Sequence, residues 1–215
     1  MNPGMDDNSI KKGFISRFAV THNGPDCGIL RCVFARTLMW LTGWKATGTL
    51  PRDNKFILIG EPHTSNWDFL LMFGAAYSFR LKISWLGKNS IFKKPFGTLM
   101  KYFGGIPINR NIKDNLVKRT VELFNESEKF VLVIGPSGTR SKRYYWRSGF
   151  YWIAHTANIP VLCGYLDFVN KIVHVGLCFV PTGDVKKDMD RIREYYKDIR
   201  GKHPELENRI LLKDE

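Results

Sequence analysis

The chain has 215 residues, 44% hydrophobic and 25% charged, enough apolar area for one full core, which excludes a disordered or low-complexity protein. Lys and Arg number 33 against 20 Asp and Glu, a net charge of +13 with a pI near 9.7, so an anionic partner is expected. Nucleic acid, anionic lipid and phosphorylated substrates all fit that charge.

Residues 1–14 carry Asp6, Asp7, Lys11 and Lys12 and no apolar run, so no secretory signal peptide is expected. Cys27, Cys32, Cys163 and Cys178 follow neither zinc-site nor redox-pair spacing and read as reduced cytosolic thiols. Residues 29–44 are apolar-rich but interrupted by Arg31 and Arg36, and too short to span a bilayer. At about 100° per residue, Leu30, Val33, Phe34, Leu41 and Trp44 share one stripe flanked by the two arginines. Two readings stay open: an interfacial helix whose arginines reach lipid phosphates, or an amphipathic helix packed on the domain's own core.

After Pro51, strands are expected over 56–60, 83–87, 106–108, 130–134, 161–165 and 172–179. Runs such as Phe130-Val131-Leu132-Val133-Ile134 are apolar at every position and indicate strands covered on both faces. Helical spacing over 115–128 places Leu116, Val117, Thr120, Leu123 and Phe124 together, and 184–200 does so with Met189, Ile192, Tyr196 and Ile199. Only Asn170 and Lys171 break the last two strands apart, so these are expected to pair antiparallel. The fold class is α/β, a mixed, largely parallel sheet flanked by helices, with an N-terminal amphipathic helix. Residues 1–49 form the N-terminal segment, 50–200 the α/β domain, and 201–215 a charged surface tail.

Three segments leave predicted strands and carry chemistry-bearing side chains. In Gly60-Glu61-Pro62-His63-Thr64-Ser65-Asn66-Trp67-Asp68, a loop running into a helix N-terminus would let Asp68 accept the imidazole N–H of His63. The alternative is a capping Asp beside a loop His. Gly104-Gly105-Ile106-Pro107-Ile108-Asn109-Arg110 ends in an arginine suited to bidentate grip on phosphate, or simply exposed at a strand end. Gly135-Pro136-Ser137-Gly138-Thr139-Arg140-Ser141 offers turn N–H groups and Arg140 to a phosphate. It is neither a Walker loop nor a nucleophile elbow, which disfavours Ser137 as a nucleophile. Around these segments lie Lys88, Lys93, Lys94 and Lys101, then Lys142, Arg143 and Arg147 interleaved with Tyr144, Tyr145 and Trp146. Such mixing suits nucleic-acid stacking, a membrane-facing rim, or a solvated surface.

Together, in order and spacing, these segments resemble the glycerolipid acyltransferase superfamily, especially its 1-acylglycerol-3-phosphate acyltransferase branch. His63 and Asp68 match its first block; Gly105-Ile106-Pro107-Ile108-Asn109-Arg110 matches the second. The third block, Phe-Pro-Glu-Gly-Thr-Arg-Ser, matches Gly135-Pro136-Ser137-Gly138-Thr139-Arg140-Ser141, with serine in place of the glutamate. Ile159-Pro160-Val161-Leu162, preceded by Arg147-Ser148-Gly149, is similar to the fourth.

The resemblance implies an O-acyltransferase of phospholipid biosynthesis that moves a fatty acyl group from acyl-CoA or acyl carrier protein to a lysophospholipid-like hydroxyl. His63 would be the general base and Asp68 its orienter. Lys88, Gly105, Arg110, Ser137, Gly138, Thr139 and Arg140 would bind substrate, with the arginines on the acceptor's phosphate. No metal or other cofactor is expected. The partners would be the thioester donor, the acceptor and an anionic membrane surface, without nucleic acid, at the cytoplasmic face of a membrane as a peripheral protein. Ser137 leaves the acceptor headgroup open. Two other functions stay in view: a serine esterase using Ser137, and a non-catalytic basic module binding RNA or membrane.

Overall fold

The computed structural model describes residues 20–108, 116–139, 141–213 and 215. In chain order it holds helix α1 (Ile29–Leu41), β1 (Lys45–Gly48), β2 (Lys55–Gly60), α2 (Trp67–Ser78), β3 (Ser84–Lys88), α3 (Gly97–Tyr102) and β4 (Gly105–Ile108). Then follow α4 (Leu116–Glu126), β5 (Phe130–Ile134), α5 (Gly149–Ala157), β6 (Val161–Asp167), β7 (Ile172–Phe179) and α6 (Val185–Tyr196).

The strands form one 7-stranded sheet in the order β1-β7-β6-β2-β5-β3-β4. Only β6 and β7 pair antiparallel; every other neighbouring pair is parallel. The fold is thus the expected α/β arrangement with a mixed, largely parallel sheet. Its central strands are apolar throughout because both faces are covered. Ile57 and Ile59 of β2, Leu132 of β5 and Val161 of β6 pack beneath Phe124 of α4, Tyr151 and Ile153 of α5, and Met189 and Ile192 of α6. The alternate residues Phe56, Val131, Val133 and Leu162 face the other way and meet Phe73 and Ala76 of α2.

Helix α1 lies outside α2. Its inward residues Cys32, Ala35 and Met39 are buried, and Met39 packs with Ala75 and Val173. Gly74 lets the two helices close, since a Cβ there would stand 2.9 Å from Met39 Sδ. Of the stripe read from the sequence, Leu30, Phe34 and Leu41 point outward, 84%, 70% and 68% exposed, as does Trp40 at 76%, whereas Trp44, beyond the helix end, packs with Met39. Its arginines differ from expectation. Arg31 donates to the Tyr102 hydroxyl at 2.6 Å, and Arg36 Nε donates to the Ser78 carbonyl at 2.9 Å, so both hold α1 to the body. Among the described residues no helix is long and apolar enough to cross a membrane. All four cysteines are free thiols.

Two boundaries shift. The sheet begins at Lys45, inside the segment assigned to the N-terminus, because the open edge of β7 takes on β1 in register from Lys45↔Ile172 to Gly48↔Val175. The charged tail also departs from the expected surface appendage. Leu212 is 3% exposed and bridges to Trp146, whose N–H donates to the Leu211 carbonyl at 2.9 Å. Apolar Ile210 and Leu212 dock on the core from a run of three apolar residues between Arg209 and Lys213, too short to stand out in a charged tail.

Candidate active site

Strands β2 and β5 lie side by side and parallel, so the loops after Gly60 and Ile134 leave the same edge of the sheet. That edge is where α/β sheets place ligands. His63 sits in the first loop, and α2 starts at Trp67 with Asp68 in its first turn. Asp68 Oδ2 accepts from His63 Nδ1 at 2.9 Å, and from the backbone N–H groups of Thr64 at 3.0 Å and Ser65 at 2.9 Å. A carboxylate only accepts, so Nδ1 carries the imidazole proton and Nε2 keeps its lone pair. Asp68 orients the imidazole and ties the preceding loop rather than capping the helix, whose N-cap residue is Asn66. Asp68 is 6% exposed, whereas the His63 side chain is 32% exposed and so reachable.

Beneath this pair lies a cavity of about 200 Å³ between α2 and the sheet. His63 and Asp68 stand in its wall, and Phe69, Met72, Ala76, Leu58, Trp85 and Val133 give the rest an apolar lining. An imidazole opening onto greasy space can serve a reaction whose substrate carries a long apolar chain.

The second loop turns tightly, with the Gly138 N–H donating to the Gly135 carbonyl at 2.9 Å and Pro136 at the position that favours its fixed φ. Gly138 has φ +66°, a left-handed conformation. Ser137 is fully buried, its hydroxyl shut in beside the Glu61 carboxylate. Enclosed in this way, the hydroxyl is poorly placed for the nucleophilic role of an esterase. Thr139 is half-buried and accepts from the Ser141 N–H at 3.2 Å.

The other residues singled out from the sequence fall in three groups. Lys88 is exposed at the C-terminal end of β3, on the same edge of the sheet as His63. Gly105 is not: it opens β4 at the far edge, where a Cβ would stand 2.7 Å from the Met100 carbonyl oxygen and from Phe92 Cε1. Its lack of a side chain makes room for that packing. Arg110 and Arg140 lie outside the described residues.

Two further residues join the site. Arg147 is exposed, its backbone N–H donates to the Pro136 carbonyl at 2.8 Å, and its side chain runs across Gly138. Glu61 is 4% exposed; its Oε1 accepts from the Ser137 N–H at 2.8 Å and its Oε2 from the His63 N–H at 2.9 Å. Burial pushes the Glu61 carboxyl above its ordinary range, opposed by the Ser137 N–H and hydroxyl, the His63 N–H and the His63 imidazole. Both stand inside segments already of interest. An acidic residue two before the histidine, in a chain lacking the third-block glutamate, was the available signal for Glu61. Among the described residues no three His, Cys, Asp or Glu side chains converge as a metal site requires.

Comparison with known proteins agrees with this fold. The chain is similar in fold to the crystal structure of the 1-acyl-sn-glycerophosphate (LPA) acyltransferase PlsC from Thermotoga maritima. The match has a TM-score of 0.56 and 20% identity, and covers 92% of this chain and 86% of that one. Among curated proteins no relative matches. The family model described as Acyltransferase matches residues 45–166, a span running from β1 to β6 and enclosing both loops of the site. With more than half its length so matched, the chain belongs to the acyltransferase family.

Proposed function

We propose that this acyltransferase moves a fatty acyl group from a thioester, acyl-CoA or acyl carrier protein, to the hydroxyl of a lysophospholipid-like acceptor. The observation that carries the reading is the His63–Asp68 pair, 2.9 Å apart, in the wall of an apolar cavity. In the reaction the acceptor oxygen attacks the thioester carbonyl carbon while His63 Nε2 takes the hydroxyl proton. Asp68 holds the tautomer and stabilises the imidazolium that forms. The tetrahedral adduct then collapses, the C–S bond breaks, and the thiolate receives the proton back from His63. No acyl-enzyme is needed, since the thioester is already activated, and holding both substrates in register supplies much of the remaining rate.

The cavity beneath α2 would take the acyl chain. Arg147 beside the Gly138 turn, with Lys88 on the same edge and Arg110 and Arg140 from the second and third blocks, would hold the acceptor's phosphate. The outward stripe of α1 would rest in the headgroup region of the cytoplasmic leaflet, attracted by the chain's positive charge. No metal or cofactor enters the proposed steps.

The test is thiol release from palmitoyl-CoA with a panel of lysolipid acceptors, for the wild type and His63→Ala. Acceptor-dependent release that vanishes in the variant is expected. Release from no thioester with any acceptor, beside salt-dependent RNA binding, would favour a binding module instead.

A further inference from the structure

We propose that Glu61 is a positioning residue of this active site, taking over the place of the glutamate that the third sequence block lacks at Ser137. The proposal rests on the acyl-transfer reading for its kinetic consequence and on the coordinates for its geometry.

Glu61 follows β2 directly and its one carboxylate reaches both functional loops. One oxygen receives the backbone N–H of His63, the other that of Ser137. The loops leave neighbouring strands, so this side chain sets the distance between them. His63 lies over the second loop, where a Cβ on Gly135 would stand 3.7 Å from His63 Cδ2. Fixing the loop spacing therefore fixes the imidazole.

A carboxylate this deeply enclosed is costly, and an apolar side chain would commonly serve stability as well. Its retention calls for a job that only a two-oxygen acceptor does. Ser137 is wholly buried against the same carboxylate, with its backbone N–H and its hydroxyl both turned toward it. A glutamate side chain grown from Ser137 would enter the volume that Glu61 fills. Two carboxylates there would repel each other in a site with little water. Positions 61 and 137 are thus alternative origins for one buried negative group. Exchanging them as Glu61→Ala with Ser137→Glu nearly conserves volume, which cores tolerate best.

The experiment compares four full-length proteins: wild type, Glu61→Ala, Ser137→Glu and the double variant. Each is read by kcat and KM for palmitoyl-CoA, by thermal midpoint, and by the side-chain ¹⁵N resonances of His63. Glu61→Ala should lower kcat about 10²-fold, the cost of a misplacement near 1 Å, with little change in KM, and should shift the His63 resonances. Ser137→Glu alone should lower both the midpoint and kcat. The double variant should recover most of the lost kcat and return the His63 resonances toward wild type. A double variant that folds yet is no better than Glu61→Ala overturns the proposal, as does Glu61→Ala with wild-type kcat and resonances. Should the double variant not fold, Glu61→Gln decides, because it keeps the shape but only one acceptor oxygen. An intermediate kcat with displaced His63 resonances sustains the proposal, and wild-type values overturn it. If the wild type transfers no acyl group to any lysolipid, the acyl-transfer reading fails by itself. The resonances then decide alone: shifted in Glu61→Ala and restored in the double variant sustains the positioning role, and unshifted refutes it.

Discussion

The side chain of Arg147 crosses Gly138 so closely that a Cβ on the glycine would stand 2.7 Å from Arg147 Nε. The missing side chain and the left-handed φ of +66° have one purpose, to let a guanidinium lie against the turn after β5. Gly138→Ala should cost about 1–2 kcal/mol from the conformation alone and displace the arginine as well. Arg147→Gln should leave folding intact and raise KM for a phosphate-bearing acceptor without raising that for the thioester. Steady-state kinetics with each substrate varied in turn checks both.

His63→Ala should lower kcat by about 10²–10⁴-fold, the usual worth of a positioned general base. Asp68→Asn separates orientation from charge. An amide oxygen at the Oδ2 position can still accept from His63, Thr64 and Ser65, so the midpoint should hold while kcat falls by less than in His63→Ala. Thiol release and differential scanning measure the two.

Ala76 is buried and lines the cavity under α2. Ala76→Phe should fill that space and turn selectivity from palmitoyl toward octanoyl thioesters. In a closed core the larger ring would cost about 1–3 kcal/mol, so an unchanged midpoint would itself mark the space as empty. Competition between the two thioesters in one reaction reads the selectivity.

Phe34 stands 70% exposed on the outward face of α1. Burying such a ring in a bilayer's interface is worth about 1.5–3 kcal/mol, so Phe34→Glu should weaken vesicle binding by about tenfold or more. Flotation with anionic liposomes tests it, and binding equal to wild type would remove α1 from the lipid contact.

Stability should also depend on the protonation of Glu61. Burial raises its carboxyl above the ordinary 4.5, so the folded chain holds that proton more tightly than the unfolded chain does. The resulting stability is complete below pH 4.5 and is lost as pH climbs through the folded value. Glu61→Gln has no such proton. The midpoint of the wild type relative to Glu61→Gln should therefore decline as pH rises above 4.5, in calorimetry over a pH series.

Much of this architecture was legible in the sequence because its central strands are apolar on consecutive positions, which only a doubly covered sheet explains. The antiparallel β6–β7 pair followed from the short polar break at Asn170 and Lys171. Strand β1 was hidden, since Lys-Ala-Thr-Gly has neither alternation nor bulk and becomes a strand only because β7 offers an open edge. The same limit applied to the outward stripe of α1, whose period was visible but whose direction depended on how Met39 packs. In the site, the His63–Asp68 spacing could be read along the chain. Glu61 was visible only as an acid two before the histidine, and its meaning lies in Ser137, a residue 76 positions away. Gly105 shows the same limit, standing in a recognisable block while its bare Cα makes room for Phe92 and Met100.

The docking of residues 210–212 has a practical side. Trp146 is hydrogen-bonded to Leu211 on one side, and its neighbour Arg147 to Pro136 on the other. Residues 210–212 thereby brace the backbone at Trp146, next to the residue that carries the guanidinium. A protease nick ahead of Ile210 would slacken, from a distance, the Gly138 turn that Arg147 crosses while sparing the imidazole.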